Sequence, residues 1–515
     1  MSELSLSIGK EEKNSITGIT NDSAVIHEVS EEFSLPDYVP EVRRLLTVRA
    51  QVLPESKFIS DLGDNSHLEF GGTVAYTLIY TNDDMELCSL PLSSSYDAVA
   101  DLSSHPSYVF IDTSVDNVAC RVNAPRKLTV KSRLKSRILS TEEKTVEEQI
   151  LNKGENDELF MERLKREALS LSIMPISMQG IKVSDKLEGN DKIKEPLWCD
   201  ARVIISDSRI QGGSVSVRGS VYVKCICHGE GGMITLEKTL PLAEEISAKG
   251  ADPKDMARVI GRCISLSISN EENDSGNSLF FDLTYELEGE VIRQTSVELT
   301  RDCYSTKYET ETEYKSICVF SCPKAEGTSF TLNDSIKRKN RDVEEIIDII
   351  VNPVYEKAEF KGGKCIIVGK LSLSVIGTSA VDETGNWEYL CESYELPIRY
   401  NCDIQRSLQE ASVRCDFSPL RINAHFDGDK LLCNAEIYVA YEIFEKAEET
   451  VLAIASLEKD KEIKKEPACV RVYFPNENDT VWNVAKKYHI TPSHLKEAND
   501  LTSNSLSGVK SLIVH

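Results

Sequence analysis

Three stretches of alternating apolar and polar residues, each with a glycine near its centre, decide the fold class of this chain. They read HLEFGGTVAYTLIY at 67–80, SVSVRGSVYVKCIC at 214–227 and KCIIVGKLSLSVIG at 364–377. Their central glycines, Gly72, Gly219 and Gly369, lie 147 and 150 residues apart. Alternation over this length is typical of a strand with one buried face, and an internal glycine indicates a bulge or a sharp bend. The pattern therefore predicts an internal repeat.

A leucine–proline pair follows each of these glycines, at Leu90-Pro91, Leu240-Pro241 and Leu396-Pro397. Because proline cannot donate to a strand ladder, this landmark predicts an edge strand in each unit. Further alternating segments on both sides give each unit about six strands. The predicted fold class is mainly β, with three tandem antiparallel β-sandwich or barrel-like repeats over 31–145, 176–310 and 311–447. A small C-terminal βααβ module over 468–515 follows them.

The remaining segments are predicted to be connectors. Residues 1–30 are polar and indicate a flexible N-terminal tail, and the charge-rich segments 146–175 and 448–467 indicate solvated linkers. Helix is a minor component. One candidate covers 252–261, with Asp252 as its cap and Pro253 at its first position. Another covers 342–350, whose end reads equally as a strand.

The charge balance restricts the class of partner. The 515-residue chain has 84 acidic and 59 basic residues, for a net charge of −25. This argues against nucleic acid or an anionic membrane, because both require basic patches. The N-terminus lacks the basic start and following apolar run that indicate a signal peptide. The apolar runs elsewhere are too short for a membrane span. We therefore expect no membrane insertion and a chain that stays in the compartment where it is made.

The chain has fifteen cysteines, two pairs of which lie close together in sequence. Cys225 and Cys227 share one face of a predicted strand, and Cys318 and Cys322 form the second pair. A zinc site usually needs two such pairs at ligand spacing, and Cys225/Cys227 lacks a matching second half. The pattern favours reduced thiols packed as small apolar groups, and a metal or redox role is the alternative.

The sequence displays no catalytic motif. It has no Walker A loop, no Gly-x-Ser-x-Gly elbow and no His-Glu-x-x-His helix. His489 and His494 lie five residues apart, a spacing that is poor for joint metal ligation, and read as surface residues. The sequence therefore predicts a protein that is not an enzyme and that has no cofactor and no metal site.

The pattern changes after Pro467. A strand at 469–474 precedes a helical segment at 479–488, where Asp479 or Thr480 is placed to cap the start. A second helix follows at 491–499, with Thr491 as cap and Pro492 at its first position. A closing strand at 508–514 completes a β-α-α-β order.

This C-terminal module resembles a LysM domain, through Asp479-Thr480-Val481-Trp482, Val484-Ala485, Tyr488, Leu495, Asn499 and Leu501. The family commonly has glycine at the position of Asn478 and an apolar residue at Ser511. The resemblance implies a shallow groove that binds N-acetylglucosamine polymers. By that correspondence the groove is lined by Glu477, Asn478, Asp479, Thr480, Leu501, Thr502, Ser503 and Asn504. We expect Trp482 and Tyr488 to be core residues rather than a platform for the ligand.

The β units carry a second resemblance. The segment LPDYVPEV at 35–42, which runs into the apolar strand at 45–50, is similar to the opening of the SPOCS domain of spore-coat proteins. The combination of SPOCS-like units with one LysM domain resembles a clostridial family of spore-coat morphogenesis proteins. It implies a non-enzymatic scaffold for sporulation that acts in the mother-cell cytoplasm at the forespore surface.

The partner implied by this family is a basement-layer morphogenetic ATPase of the spore coat, bound through the LysM domain. The alternative is a protein that binds N-acetylglucosamine glycan in peptidoglycan or cortex through the same groove. The missing signal peptide and the substitution by Asn478 weigh against this alternative.

Overall fold

The structure, a computed structural model, describes residues 8–62, 65–102, 105–151, 158–164, 170–230, 232–270, 277–338, 342–381, 385–404, 407–408, 410–464 and 470–514. The described chain is mainly β, with two short helices near its C-terminal end.

The first unit consists of two three-stranded sheets whose apolar faces meet. One sheet has the order β2-β3-β4, and in the other β1 and β5 flank β6. All of these pairings are antiparallel, and both sheets contribute side chains to one buried cluster. The strands are β1 (Ile8–Ser34), β2 (Arg44–Leu62), β3 (Asn65–Thr81), β4 (Leu87–Leu102), β5 (Tyr108–Ala124) and β6 (Lys127–Leu151).

The second unit repeats this arrangement. One sheet has the order β11-β10-β9 and the other β12-β13-β8, with one apolar cluster between them. Two short strands, β7 (Leu159–Arg163) and β14 (Thr300–Ser305), pair with each other beside the unit. The other strands are β8 (Ser170–Glu188), β9 (Ile193–Gln211), β10 (Ser214–Gly229), β11 (Gly232–Ser247), β12 (Met256–Asn270) and β13 (Ser278–Thr295).

The third unit pairs β16-β17-β18 in one sheet and places β20 between β15 and β19 in the other. Its buried cluster again draws on both sheets. The strands are β15 (Tyr308–Lys337), β16 (Glu345–Lys361), β17 (Lys364–Thr378), β18 (Tyr389–Asp403), β19 (Glu410–Asp427) and β20 (Lys430–Glu462). The C-terminal module contains β21 (Arg471–Tyr473), α1 (Val481–Lys487), α2 (Pro492–Ala498) and β22 (Leu512–Val514).

The central glycines lie where a neighbouring backbone comes too close for a side chain. A Cβ at Gly219 would lie 2.0 Å from the carbonyl oxygen of Ile204, and one at Gly72 would lie 2.3 Å from that of Leu53. The strand register shifts at these positions in all three units. The predicted bulge is therefore confirmed. The leucine–proline pairs lie on β4, β11 and β18, which are edge strands of their sheets, as predicted.

The three units meet through matching positions. Ile79, Ile226 and Ile376 each lie seven residues after the central glycine of their own unit, and all three are buried in one cluster. The long strands β6 and β20 run beyond their units and pair in parallel at residues 149–151 and 454–456. Equivalent faces of the three units therefore pack together.

The N-terminal segment differs from the prediction of a flexible tail over 1–30. Residues 8–34 form β1, which pairs with β6 along its length, while residues 1–7 lie outside the described residues. Val25, Val29 and Phe33 pack against the first cluster. The segment reads as a polar tail because only one face of this strand is apolar.

The charged segments also differ from the prediction of linkers over 146–175 and 448–467. β6 extends to Leu151, β7 and β8 begin within the first segment, and β20 extends to Glu462. Most of the charges lie on solvent faces, while Val146, Ile150 and Val451 are buried on the other side. Glu148 is the exception in the first segment, because it is buried and accepts hydrogen bonds from Thr300. Residues 152–157, 165–169 and 465–467 lie outside the described residues.

The two helix candidates are also wrong. Residues 252–255 form a turn that leads into β12, and most of 342–350 belongs to β16, which pairs with β17. Pairing with neighbouring strands therefore outweighs the capping signal at Asp252.

In the described part of the chain, no helix has the length and apolar character needed to cross a membrane.

Candidate functional site

The C-terminal module is a two-stranded sheet, β21 and β22, with two capped helices packed on it. Thr480 caps α1 by accepting from the Asn483 N–H, and Thr491 caps α2 by accepting from the His494 N–H. Pro492 occupies the first turn of α2. These caps satisfy N–H groups that a helix start leaves without partners, which confirms the predicted β-α-α-β order.

Asn499 connects the end of α2 to the closing strand β22 through side-chain hydrogen bonds. Its Nδ2 donates to the carbonyl oxygens of Leu495 and Ile513, both at 2.9 Å, and its Oδ1 accepts from the Ile513 N–H at 2.6 Å. One side chain therefore sets the position of the segment that follows, which is the second loop of the predicted groove.

The two predicted groove segments, 477–480 and 501–504, lie next to each other. The Val481 N–H donates to the Asn504 carbonyl oxygen at 2.9 Å, and Thr480 forms a bridge with Ser505. The exposed members of the predicted set are Glu477, Asn478, Thr502, Ser503 and Asn504, and the partly buried members are Asp479, Thr480 and Leu501.

Two of these residues hold the loop rather than face a ligand. Asp479 accepts from the Tyr473 hydroxyl at 2.7 Å and from the Asn476 N–H at 2.8 Å. The hydrogen bond from the Asn476 backbone is the main reason that the pKa of Asp479 is lowered. The side chain of Thr480 is occupied by the helix cap. The side chains that the groove leaves exposed are those of Glu477, Asn478, Thr502, Ser503 and Asn504.

The module docks on the β14 strand through a set of contacts that we call the docking seam: Asp302, Tyr304, Trp482, Lys486 and Ile490. Asp302 accepts from Trp482 Nε1 at 2.9 Å and from Lys486 Nζ at 2.7 Å. The Tyr304 hydroxyl donates to the Ile490 carbonyl oxygen at 2.7 Å. The Trp482 and Tyr304 rings pack edge to face, with centroids 5.0 Å apart. The helical module is therefore attached to strand β14 by both polar and aromatic contacts.

The electrostatics of the docking seam centre on Asp302. Burial alone would raise the pKa of Asp302, but hydrogen bonds from Lys486, Trp482 and Tyr314 outweigh it, so that its pKa is lowered. The pKa of Lys486 is raised because its interactions with Asp302 outweigh its own burial. The Asp302 carboxylate and the Lys486 ammonium group are therefore both in their charged forms.

Sequence reasoning placed Trp482 in the core and missed the docking seam. Trp482 is half-buried and faces Asp302, whereas Tyr488 packs inside the module against Tyr473, with ring centroids 5.8 Å apart. Nothing in the local pattern pairs a tryptophan with an aspartate 180 residues earlier. Asp302 lies on β14 and is partly buried in the fold, and no feature of the sequence alone marks it.

Comparison with known families assigns residues 476–513 to the LysM domain. No curated protein and no solved structure matches the chain. The C-terminal module is therefore a LysM domain, as its sequence predicted, and such a domain suggests binding of peptidoglycan or a related glycan. The SPOCS resemblance of the β units stays a prediction.

Two further candidates for a site in the β units are a metal-binding cluster and a charged cleft. In the residues that the structure describes, no group of three or more His, Cys, Asp or Glu could hold a metal ion. A cleft of about 740 Å³ lies between the three units. Two arginines that line it, Arg49 and Arg202, both pair with Asp200, at 2.5 and 3.0 Å. Both guanidinium groups are therefore already engaged by a carboxylate of the protein.

Proposed function

We propose that this chain is a non-enzymatic scaffold that binds a glycan containing N-acetylglucosamine through the groove of its LysM domain. The observation that carries the proposal is the orientation of the docked domain. The docking seam uses Trp482 and Lys486 of α1, while Asn478 and the 502–504 loop stay exposed. The β units therefore hold the LysM domain without covering its groove.

The chemistry of the groove suits a neutral sugar. Asn478, Thr502, Ser503 and Asn504 offer amide and hydroxyl groups that both donate and accept hydrogen bonds. Sugar hydroxyls and N-acetyl groups require this mixture. Trp482 takes part in the docking seam, so recognition rests on polar contacts rather than on stacking against this ring.

Calorimetric titration of the full chain with N-acetylglucosamine oligomers tests the proposal. Ser503→Tyr places a large ring in the groove and should weaken binding at least about tenfold, which is about 1.4 kcal/mol. Ser493→Tyr is the matched control, because Ser493 is exposed at the other end of α2. Absence of binding by the unchanged chain would refute the glycan assignment.

A second candidate function is a spore-coat scaffold whose LysM domain binds a basement-layer ATPase in the mother-cell cytoplasm. Its support is the SPOCS-like segment at 35–42. Leu35 and Val42 are buried in the first cluster, whereas Tyr38 is 87% exposed. Arg126 donates to the carbonyl oxygens of Pro36 and Val39, at 2.8 and 3.2 Å. The hydrogen bonds from Arg126 hold this segment in place, and the Tyr38 ring is exposed to solvent.

Binding of the purified basement-layer ATPase to the full chain separates the two functions. If the chain binds the ATPase, loses this binding in the Ser503→Tyr variant and does not bind N-acetylglucosamine oligomers, the scaffold with a protein partner is favoured. Glycan binding without capture of the ATPase favours the first function.

A further inference from the structure

Three thiols of the second unit lie together in its apolar cluster. Cys225 and Cys227 on β10 are fully buried, and their sulfur atoms lie 3.6 Å apart. Cys199 on β9 lies directly opposite Cys225 in the antiparallel register. Directly opposed residues have Cα atoms about 4.5–5.5 Å apart, which falls within the roughly 4.4–6.8 Å that a disulfide spans. Cys199 and Cys225 can therefore be joined without separating their strands.

The other two units fill the same position with carbon alone. The residues six positions after the central glycines are Leu78, Cys225 and Val375. The residues opposite them are Val48, Cys199 and Ile349. Leu78 and Val375 are as fully buried as Cys225. Because aliphatic pairs fill this core position twice in the same chain, the fold does not require a pair of thiols in the second unit.

The two thiols differ in their access to solvent. Cys199 lies on β9, an edge strand of its sheet, and is partly exposed. Cys225 is fully buried, and hydrogen bonds with the thiols of Cys199 and Cys227 raise its pKa. An oxidant from solvent therefore meets Cys199 first, with Cys225 behind it as the second thiol.

We propose that Cys199 and Cys225 are an oxidation site that hydrogen peroxide converts to a disulfide. In the first step the Cys199 sulfur attacks the peroxide and becomes a sulfenic acid, with release of one water. The Cys225 sulfur then attacks the Cys199 sulfur and displaces a second water. The two thiols together lose two electrons and two protons, which reduce one peroxide to two waters.

Mass spectrometry of the full chain tests this assignment after peroxide treatment, alkylation of remaining thiols and proteolysis. The expected product is a linked Cys199–Cys225 peptide pair that is lost on treatment with a thiol reductant. Cys365 and Cys402 serve as an internal control, because they lie directly opposite each other on β17 and β18. Both are buried, so they should stay reduced at the same dose.

The double variant Cys199→Val with Cys225→Leu copies the aliphatic pair of the first unit. It should keep the urea unfolding transition of the parent and lose the linked peptide. Absence of a Cys199–Cys225 link, a link between Cys225 and Cys227 instead, or equal oxidation of Cys365 and Cys402 would each overturn the proposal.

Discussion

Arg414 of the third unit and Glu290 of the second unit form an ion pair in which both side chains are almost completely buried. Arg414 Nη2 lies 2.5 Å from Glu290 Oε2, and Arg414 Nε donates to Glu442 at 2.5 Å. The guanidinium also lies over the ring of Phe110 in the first unit, 4.8 Å from its centroid. One side chain therefore contacts all three β units.

Replacement of Arg414 by methionine should lower the free energy of unfolding by about 3–5 kcal/mol, because it removes the ion-pair partner of the buried Glu290 and leaves the buried Glu442 with Arg258 alone. Urea denaturation followed by circular dichroism measures this loss. The control is Arg133→Met, since Arg133 pairs with Asp116 at 2.8 Å but its side chain is 51% exposed. An exposed pair contributes up to about 1 kcal/mol, so equal losses in both variants would contradict the central role of Arg414.

Gly219→Ala should destabilise the second unit by about 1–3 kcal/mol, because the added Cβ must push two strands apart. The clash is with the Ile204 carbonyl oxygen, at 2.0 Å. Ser220→Ala at the next position adds no atoms and should change the unfolding free energy by less than about 0.5 kcal/mol. Equal stability of the two variants in urea would show that the glycine is not required by its neighbours.

Asp302→Ala should release the LysM domain, since Trp482 and Lys486 lose their shared acceptor. We expect a larger radius of gyration in small-angle X-ray scattering and a shift of tryptophan emission. Glu477→Ala, at an exposed position of the groove, should leave both unchanged. An unchanged scattering profile for Asp302→Ala would contradict the proposed docking seam.

Docking of the LysM domain should be insensitive to pH near neutrality and should weaken only in acid. The pKa of Asp302 is lowered from its ordinary value of 3.8, so the charged form is favoured when the domain is docked. Its contribution is complete above the ordinary pKa and is lost as the pH falls through the lowered one. The radius of gyration of the parent should therefore stay constant from neutral pH to about pH 5. An increase within that range would contradict the assignment.

Local patterns predicted the parts of the fold that local physics determines. Alternation around Gly72, Gly219 and Gly369 located the three central strands, because a one-sided strand has a period of two. Thr480 and Thr491 were recognisable because a cap satisfies N–H groups within its own helix. The LysM domain was found for the same reason, since its elements and groove loops are close in sequence.

Contacts between distant elements were not predictable in this way. Strand β1 has a polar composition, and only its pairing with β6 shows that Val25 and Phe33 face a core. Arg414 and Glu290 resemble ordinary surface charges in an acidic sequence until the units pack together. Likewise, Asp302 acquires its role from Trp482, and no spacing rule connects the two.

His27 offers a test of how a partly buried imidazole affects stability. In the described structure, neither ring nitrogen of His27 has a hydrogen-bond partner. The ring stacks on Tyr96, with centroids 5.5 Å apart, and lies edge-on to Phe70 at 6.3 Å. Burial lowers the pKa of His27 from 6.5, so the folded chain takes up this proton at a lower pH than the unfolded chain does.

The folded state should therefore lose stability as the pH falls below about 6.5, and this loss should be absent above it. His27→Phe removes the titrating group while it keeps an aromatic ring beside Tyr96. The stability of the variant relative to the parent should rise between pH 7 and pH 5, as measured by urea denaturation at each pH. His425→Phe, at an exposed position, should show no such rise. If the unfolding free energies of both variants change with pH as that of the parent does, the His27 ring is accessible to water in the folded chain. That result would contradict the burial of its ring nitrogens.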